Sequence, residues 1–184
     1  MSKRFFDLFF AVLGLLISVL LIFVLFILAS IDTQQNGIFS QKRIGQFGKP
    51  FTIYKIRTFG LKEENPISKF GNFLRNSKLD ELPQLWNIVI GNMSFVGPRP
   101  DIAGYYDLLT GESKKILELK PGLTSLASIK YADEEYLLEK QEKPLWFNDT
   151  VIFPDKVKMN LHYYYSNSIY GDLKILWKTI FRGR

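Results

Sequence analysis

A chain of 184 residues has room for one modest domain and an anchor, and two independent cores would be a squeeze. With no cysteine and one histidine, His162, it excludes disulfides, thiolate chemistry and a histidine-rich metal site, so any metal must be held by oxygen, Mg²⁺ shared with a phosphate being the natural choice. The net charge of +6 selects acidic partners, whether nucleic acid, anionic lipid or phosphorylated substrates, without choosing among them.

Lys3 and Arg4 precede an apolar run from residue 8 to 29 that only Gly14 and Ser18 interrupt. That run is long enough to cross a bilayer, and too long for the apolar region of a signal peptide. It has no small-x-small cleavage site after it and no polar face with which to lie in a soluble core. Membrane insertion is therefore expected. Lys42, Arg43, Lys49, Lys55 and Arg57 outnumber Lys3 and Arg4, which places the following chain in the cytoplasm. A crossing helix would leave Met1 outside, whereas one bending near Gly14 or Ser18 keeps both ends inside. Since Lys3 and Arg4 resist translocation, the re-entrant form is favoured.

Residues 38–44 and 51–58 alternate as a strand pair about a turn at 45–50. Phe51, Ile53 and Lys55 share a side of the second strand, and a cation on a core-facing row is either snorkelling or meeting an anion. After a polar loop at 62–68, residues 69–76 read as a short amphipathic helix with Phe70, Phe73 and Leu74 inward and Arg75 near its end. The stretch 77–87 predicts another helix, with Ser77 as N-cap and Pro83 tolerated near its first turn. On it Asp80, Gln84 and Asn87 share one face, while Leu82, Leu85, Trp86 and Val89 supply the buried side, so the polar seam is expected to point away from the core. A helix start favours phosphate and keeps a carboxylate ionised. First-turn acids are commonly structural, however, and Asp80 and Glu81 alone do not identify catalysis.

A short strand is expected at 93–96. The Gly97-Pro98-Arg99-Pro100 run fixes the backbone on both sides of Arg99, and a preset guanidinium fork suits phosphate. Residues 105–119 read as helix, 123–129 as a hydroxyl-rich strand or loop, 133–143 as a charged helix and 155–165 as helix again. Trp146 and Phe147 suit either the core or a belt at headgroup level. From 172 on, Leu173, Leu176, Trp177 and Ile180 line one side with Lys174, Lys178, Arg182 and Arg184 on the flanks. Such a helix either lies on anionic membrane or covers the core.

Several of these stretches occur together in a known order: Gln41-x-Arg43-x-Gly45, Tyr54-Lys55-Ile56-Arg57-Thr58, Arg75 five positions before Asp80-Glu81-Leu82-Pro83-Gln84, Met93-Ser94-Phe95-Val96-Gly97-Pro98-Arg99-Pro100, Pro121-Gly122-Leu123-Thr124 and Ser168-x-x-x-Asp172-x-x-Ile175. Over nearly its whole length the chain resembles the small monotopic phosphoglycosyl transferases, bacterial sugar transferases that start glycan assembly on a polyprenyl carrier. The fold this implies is α/β of the α+β kind: a small, mostly helical catalytic domain at 36–184 with a short strand pair and interfacial amphipathic helices. It would stand on a membrane-inserted re-entrant helix at 1–35, at the cytoplasmic face of the bacterial inner membrane.

The resemblance also implies a reaction. Sugar 1-phosphate would move from a UDP-sugar to polyprenyl phosphate, with UMP leaving and Mg²⁺ as cofactor. Asp80 would be the nucleophile and form an acyl phosphate, Glu81 would assist through Mg²⁺ or a proton, and Asp80 and Glu81 would be the metal ligands. Lys55, Arg75 and Arg99 would hold phosphates, with Gln84 and Thr124 near the substrate and downstream glycosyltransferases as possible partners. Three positions depart from the family pattern. Val19 stands where a helix-breaking proline often follows the serine, Ser125 replaces a glycine, and His162 stands where tyrosine is common. A non-catalytic module that binds polyprenyl phosphate is the alternative, and it would need cations but no nucleophile. Nucleic acid is not an expected partner, because the basic residues cluster beside the apolar segment and no recognition motif is present.

Overall fold

A computed structural model describes residues 3–61 and 67–181. The chain forms two compact units, Met1–Arg43 with Pro50–Asn92 and Ile44–Lys49 with Met93–Arg184. The second unit thus takes in the tip of the expected hairpin.

In the first unit the apolar run forms one continuous helix, α1 (Lys3–Thr33), of 31 residues, about 46 Å at 1.5 Å per residue. It is long and apolar enough to cross a membrane. Its buried positions, Phe6, Asp7, Ala11, Ser18, Leu25, Ala29 and Thr33, are mostly small and form a single stripe. Large apolar side chains cover the remainder, with Leu16, Ile17 and Leu20 at least 70% exposed. Ser18 Oγ donates to the Gly14 carbonyl at 2.6 Å, a local bond that satisfies the hydroxyl without a partner helix.

The strands β1 (Ile38–Ile44) and β2 (Pro50–Ile56) form the expected hairpin, and α2 (Lys69–Ser77) the expected amphipathic helix. Ser68 caps α2 by accepting from the Gly71 N–H. Leu25 and Ala29 of α1 pack with Ile56 and Leu74, and Ile22, Ile38, Leu79 and Leu82 close around them. Between α2 and α3 (Gln84–Val89), Leu79–Glu81 form a 3₁₀ turn after Lys78, which takes the left-handed conformation. Ser77 is therefore no N-cap: it ends α2, and its hydroxyl turns back to the Phe73 carbonyl at 2.7 Å.

The expected outward polar seam runs inward instead. Asp80, Gln84 and Asn87 are all buried, and Trp86, expected inside, is 51% exposed. The reason is that α3 has two covered sides, one against α1 and one against β2, where a single core side was assumed. The segment lies antiparallel to α1. Leu79 and Leu82 meet the level of Ile22 and Leu25, Gly14 leaves room for Leu85, and the Arg4 guanidinium donates to the carbonyls of Ile88 at 2.6 Å and Val89 at 2.8 Å.

The second unit contains the strand expected at 93–96 and pairs it with the start of the hydroxyl-rich run, a pairing not expected from the sequence. Here β3 (Ser94–Val96) pairs in parallel with β4 (Gly122–Thr124), Ser94 opposite Gly122 and Val96 opposite Thr124. The expected helix at 105–119 is two 3₁₀ stretches, Tyr106–Leu108 and Gly111–Glu118, divided where Gly111 takes a positive φ. The hydroxyl-rich run splits into β4 and α4 (Leu126–Lys130), capped by Ser125, and the charged helix is the short α5 (Glu134–Glu139). After α6 (Pro144–Phe147), where Trp146 is exposed, come α7 (Phe153–Ser166) and α8 (Ile169–Ile180).

In the last helix one face covers the core and another is exposed. Ile175 and Leu176 pack with Val96 and Tyr163, whereas Tyr170, Leu173, Trp177 and Ile180 form an exposed apolar stripe. Leu176 therefore belongs to the inner face, not with Leu173 and Trp177. Arg182 and Arg184 lie outside the described residues, as does most of the 62–68 loop. Among the described residues the fold is mostly helical with two short strand pairs, as the α+β expectation requires.

Candidate active site

The first unit gathers three of the expected residues into one cluster. The 3₁₀ turn brings Asp80 and Glu81 beside β2, where Lys55 Nζ lies 3.1 Å from Glu81 Oε1 and 4.0 Å from Asp80 Oδ2. All three side chains are largely out of water, Lys55 at 22% exposure and the carboxylates at 10% and 9%. The open question about Lys55 is thus answered: it meets anions. Such a pair gains little net stability, but removing one partner strands the other charge at a cost of about 3–5 kcal/mol. The turn spans three residues and α3 only six, so the helix-dipole argument gives way to this lysine as the source of positive field.

Arg75 stands near the end of α2, and its Nε donates to Thr58 Oγ1 at 3.1 Å. Thr58, itself buried, aims a guanidinium that the motif reading treated as acting alone. Gln84 follows one turn after Asp80. It is 3% exposed, and its Nε2 has no hydrogen-bond acceptor among the described residues. A buried amide donor in that state suits an acceptor arriving with a ligand.

Arg99 and Thr124 belong to the second unit. Arg99 is exposed, and its Nη1 reaches the Leu123 carbonyl only at 3.5 Å. Its backbone, by contrast, is fixed: the Gly97 N–H donates to the Thr124 carbonyl at 3.1 Å and the Gly122 N–H to the Pro98 carbonyl at 2.8 Å. A Cβ on Gly97 would overlap the Lys120 carbonyl, and one on Gly122 would overlap Gly97 itself. A small recess of about 20 Å³ beside this loop, lined by Ile44, Pro98, Arg99 and Tyr106, has room for about one water. Burial pushes the Tyr106 hydroxyl well above its ordinary value and Asn160 Nδ2 donates to it at 2.8 Å, so this wall of the recess stays neutral.

Thr124 is buried, and its Oγ1 lies 2.8 Å from Thr179 Oγ1. Thr179 spends its own proton on the Ile175 carbonyl, so Thr124 is the donor of that pair and keeps only acceptor capacity for anything else. Further residues that motif reading passed over hold this unit together. Tyr163 OH lies 2.6 Å from buried Asp172, within the Ser168-x-x-x-Asp172 motif, and 3.3 Å from the Val96 carbonyl, one residue before the glycine of the Arg99 loop.

Two adjacent carboxylates beside one lysine, with no group of three His, Cys, Asp or Glu residues among the described residues, make a poor all-protein metal cage. They fit an ion that takes one or two carboxylates and completes its shell with phosphate oxygens and water, as Mg²⁺ does.

Residues 1–183 match the family model described as "Bacterial sugar transferase", and the chain belongs to that family. It is 35% identical over 177 residues to the UDP-glucose:undecaprenyl-phosphate glucose-1-phosphate transferase of Klebsiella pneumoniae, covering 86% of this chain and 35% of that protein. It is 31% identical over 202 residues to the galactosyl transferase CpsE of Streptococcus agalactiae, covering 97% and 41%. With the sugar transferase EpsL of Bacillus subtilis it shares 34% identity over 160 residues, 82% of this chain and 79% of that one. The chain therefore spans between a third and a half of the length of the first two relatives.

Proposed function

We propose that the chain is a phosphoglycosyl transferase that moves sugar 1-phosphate from a UDP-sugar to polyprenyl phosphate, the first membrane step of glycan assembly. The observation that carries this reading is the buried Asp80–Glu81 pair held against Lys55 at 3.1 Å. A binding module needs cations, but it gains nothing from a buried carboxylate that must be offset by a lysine. The name of the Klebsiella relative supports the same class of reaction.

In the first step an Asp80 carboxylate oxygen attacks the phosphorus that bears the sugar. A bond forms between Asp80 and that phosphorus, the bond to the bridging oxygen breaks, and UMP leaves with the bonding pair. In the second step a phosphate oxygen of the polyprenyl carrier attacks the same phosphorus and expels the Asp80 carboxylate, giving polyprenyl diphosphate sugar. Two displacements let a water-soluble donor and a lipid acceptor use one nucleophile in turn.

Repulsion between carboxylate and diphosphate is the principal barrier, and fixed cations lower it. Lys55 acts beside the nucleophile, and Arg75, aimed by Thr58, and Arg99, on its stiff loop, hold phosphates. Gln84 supplies a donor to the substrate. Asp80 and Glu81 would hold Mg²⁺, which when bound supplies further charge neutralisation at the phosphates. The product is a lipid-linked substrate for downstream glycosyltransferases.

The same geometry supports a monotopic arrangement, and the excess of basic residues after α1 supports the cytoplasmic face. Arg4 is tied to α3 at one end of α1 and Thr33 leads into the hairpin at the other, while Leu79 and Leu82 of the carboxylate turn pack with Ile22, Leu25 and Ala29, within the apolar run. An upright crossing would carry Lys55, Asp80 and Glu81 into hydrocarbon, at several kcal/mol per ion. Both ends of α1 therefore stay on one side, with its exposed apolar face in the lipid, and the stripe of α8 meets the interface of an anionic membrane.

The test is UMP release from a panel of UDP-sugars with Mg²⁺ and polyprenyl phosphate, beside Asp80→Asn. Carrier-dependent release by wild type alone, and labelled phosphosugar retained on the protein when carrier is omitted, are the expected results. Silence across the panel with carrier still bound would favour the binding module.

A further inference from the structure

We propose that Asn87 is a positioning residue that stands in for a missing strand beside β2 and so fixes Lys55 against Asp80 and Glu81. The proposal rests on Lys55 acting at the transfer site as described above. In the first unit β2 has β1 on one edge, and its other edge presents the Thr52 carbonyl and the Tyr54 N–H, which point the same way because they lie two residues apart. Asn87 Nδ2 donates to the Thr52 carbonyl at 2.7 Å, and Asn87 Oδ1 accepts from the Tyr54 N–H at 3.3 Å. One donor and one acceptor on a planar amide are what a neighbouring strand would offer there. Rotating the amide would oppose acceptor to acceptor and donor to donor, so a single orientation serves.

Asn87 is 0% exposed, so water does not compete for either bond, and removing the amide leaves two edge groups without partners in a dry place. Lys55 is the next residue after Tyr54, and the carboxylates lie on the same continuous segment as Asn87, six and seven residues before it. One side chain therefore ties the strand carrying the cation to the segment carrying the anions. Arg4 holds the far end of that segment through the Ile88 and Val89 carbonyls, so the amide is presented from an anchored helix. A loosened β2 would let Lys55 drift from the carboxylates, and a misplacement of about 1 Å costs about a hundredfold in rate.

The experiment uses the full chain in nanodiscs and has two arms. The first is hydrogen exchange across β2 in wild type, Asn87→Ala and Asn87→Asp, the last keeping the volume while turning an acceptor toward the Thr52 carbonyl. Exchange at the Tyr54 amide is expected to quicken at least about tenfold in Asn87→Ala, which loses the edge bond outright, and by a smaller factor in Asn87→Asp, which keeps an acceptor for the Tyr54 N–H while repelling the Thr52 carbonyl. Unchanged exchange would overturn the proposal. The second arm is a double-mutant cycle on transfer rate with Lys55→Met. Asn87→Ala is expected to slow wild type about a hundredfold and to add little in the Lys55→Met background, because both act through the same ammonium. Full multiplication of the two losses would show a general packing role and overturn it. Should alanine fail to accumulate, the aspartate variant carries both arms. A wild type that releases no UMP would sink the reading of the reaction, while the exchange arm still decides whether Asn87 pairs β2.

Discussion

The two units hold their charged groups by opposite means. In the first, Lys55, Asp80 and Glu81 are buried and positioned by side chains from distant parts of the chain: Asn87 on the edge of β2, Thr58 on Arg75, Arg4 on the end of α3. In the second, Arg99 is exposed and its backbone is fixed through Gly97, Pro98, Pro100 and the tight approach of Gly122. A nucleophile must be dry and poised, which demands partners for every polar group around it. On the proposed reading Arg99 is a phosphate clamp in water, where stiffness alone suffices. The first design should break on polar substitutions and the second on added methyl groups.

The largest effect is expected at Asp80. Asp80→Asn keeps the shape of the turn but removes the proposed nucleophile, and transfer should fall by about a thousandfold or more. Flotation with liposomes should show membrane association unchanged, since α1 and α8 are untouched. Substantial turnover by this variant would move the nucleophile elsewhere.

In the second unit, Gly122→Ala is the sharper probe of the comparison. The new Cβ has no place beside Gly97, and the strain of forcing it in is worth about 1–3 kcal/mol. Because the same contact fixes the Arg99 loop, KM for the UDP-sugar should rise along with the loss of Tm. A variant with normal KM would show that Arg99 does not depend on the loop's backbone.

How much of this was legible in the sequence follows the same division. The Gly-Pro-Arg-Pro loop could be read because its stiffness is local, and so could the apolar helix, the hairpin and the acid pair. The inward turn of Asp80, Gln84 and Asn87 could not, because it depends on α1 and β2 covering both sides of α3 from far along the chain. Trp86 was assigned to the core for the same reason, and Ser77 was taken for a cap because nothing local signals that Lys78 enters the left-handed region. The strand at 93–96 is legible, but its parallel pairing with Gly122–Thr124 is not, because two three-residue strands meet only through the intervening chain. Thr58 stood in plain view inside the Tyr-Lys-Ile-Arg-Thr motif, but its partner Arg75 lies 17 residues on.

Arg4 tests whether the first unit's reliance on side-chain ties extends to its membrane helix. Arg4→Met keeps the apolar stem and removes two charge-assisted bonds to the end of α3, which should cost about 2 kcal/mol. Thermal unfolding in nanodiscs would measure it. Arg4→Lys should recover only part of the loss, because one ammonium cannot fork onto two carbonyls at 2.6 and 2.8 Å. An unchanged Tm in Arg4→Met would leave Arg4 only the topological role inferred from its charge.

The smallest effect should come from a charged pair that neither site uses. On the second unit Lys130 Nζ and Tyr131 OH both donate to Asp155 Oδ2 at 2.7 Å, in side chains that are 52% exposed for Lys130 and 32% for Asp155. The bond from Lys130, then that from Tyr131, holds the Asp155 carboxyl below its ordinary value of 3.8, and the same bond to Asp155 holds Lys130 above 10.5. A depressed carboxyl contributes stability that is present above its ordinary value and is lost as pH falls through the lower folded one. A raised lysine contributes stability that is present below its ordinary value and is lost as pH rises through the higher folded one. Asp155→Asn should therefore lower Tm at neutral pH by no more than about 2 °C. The gap from wild type should close in acid, as Asp155 protonates in the wild type, and shrink in strong alkali as Lys130 loses its charge. It should also narrow with added salt, because both groups are solvated. A larger, salt-insensitive loss would mean that this exposed pair is held as firmly as the buried one, and the contrast between the two units would then rest on Arg99 alone.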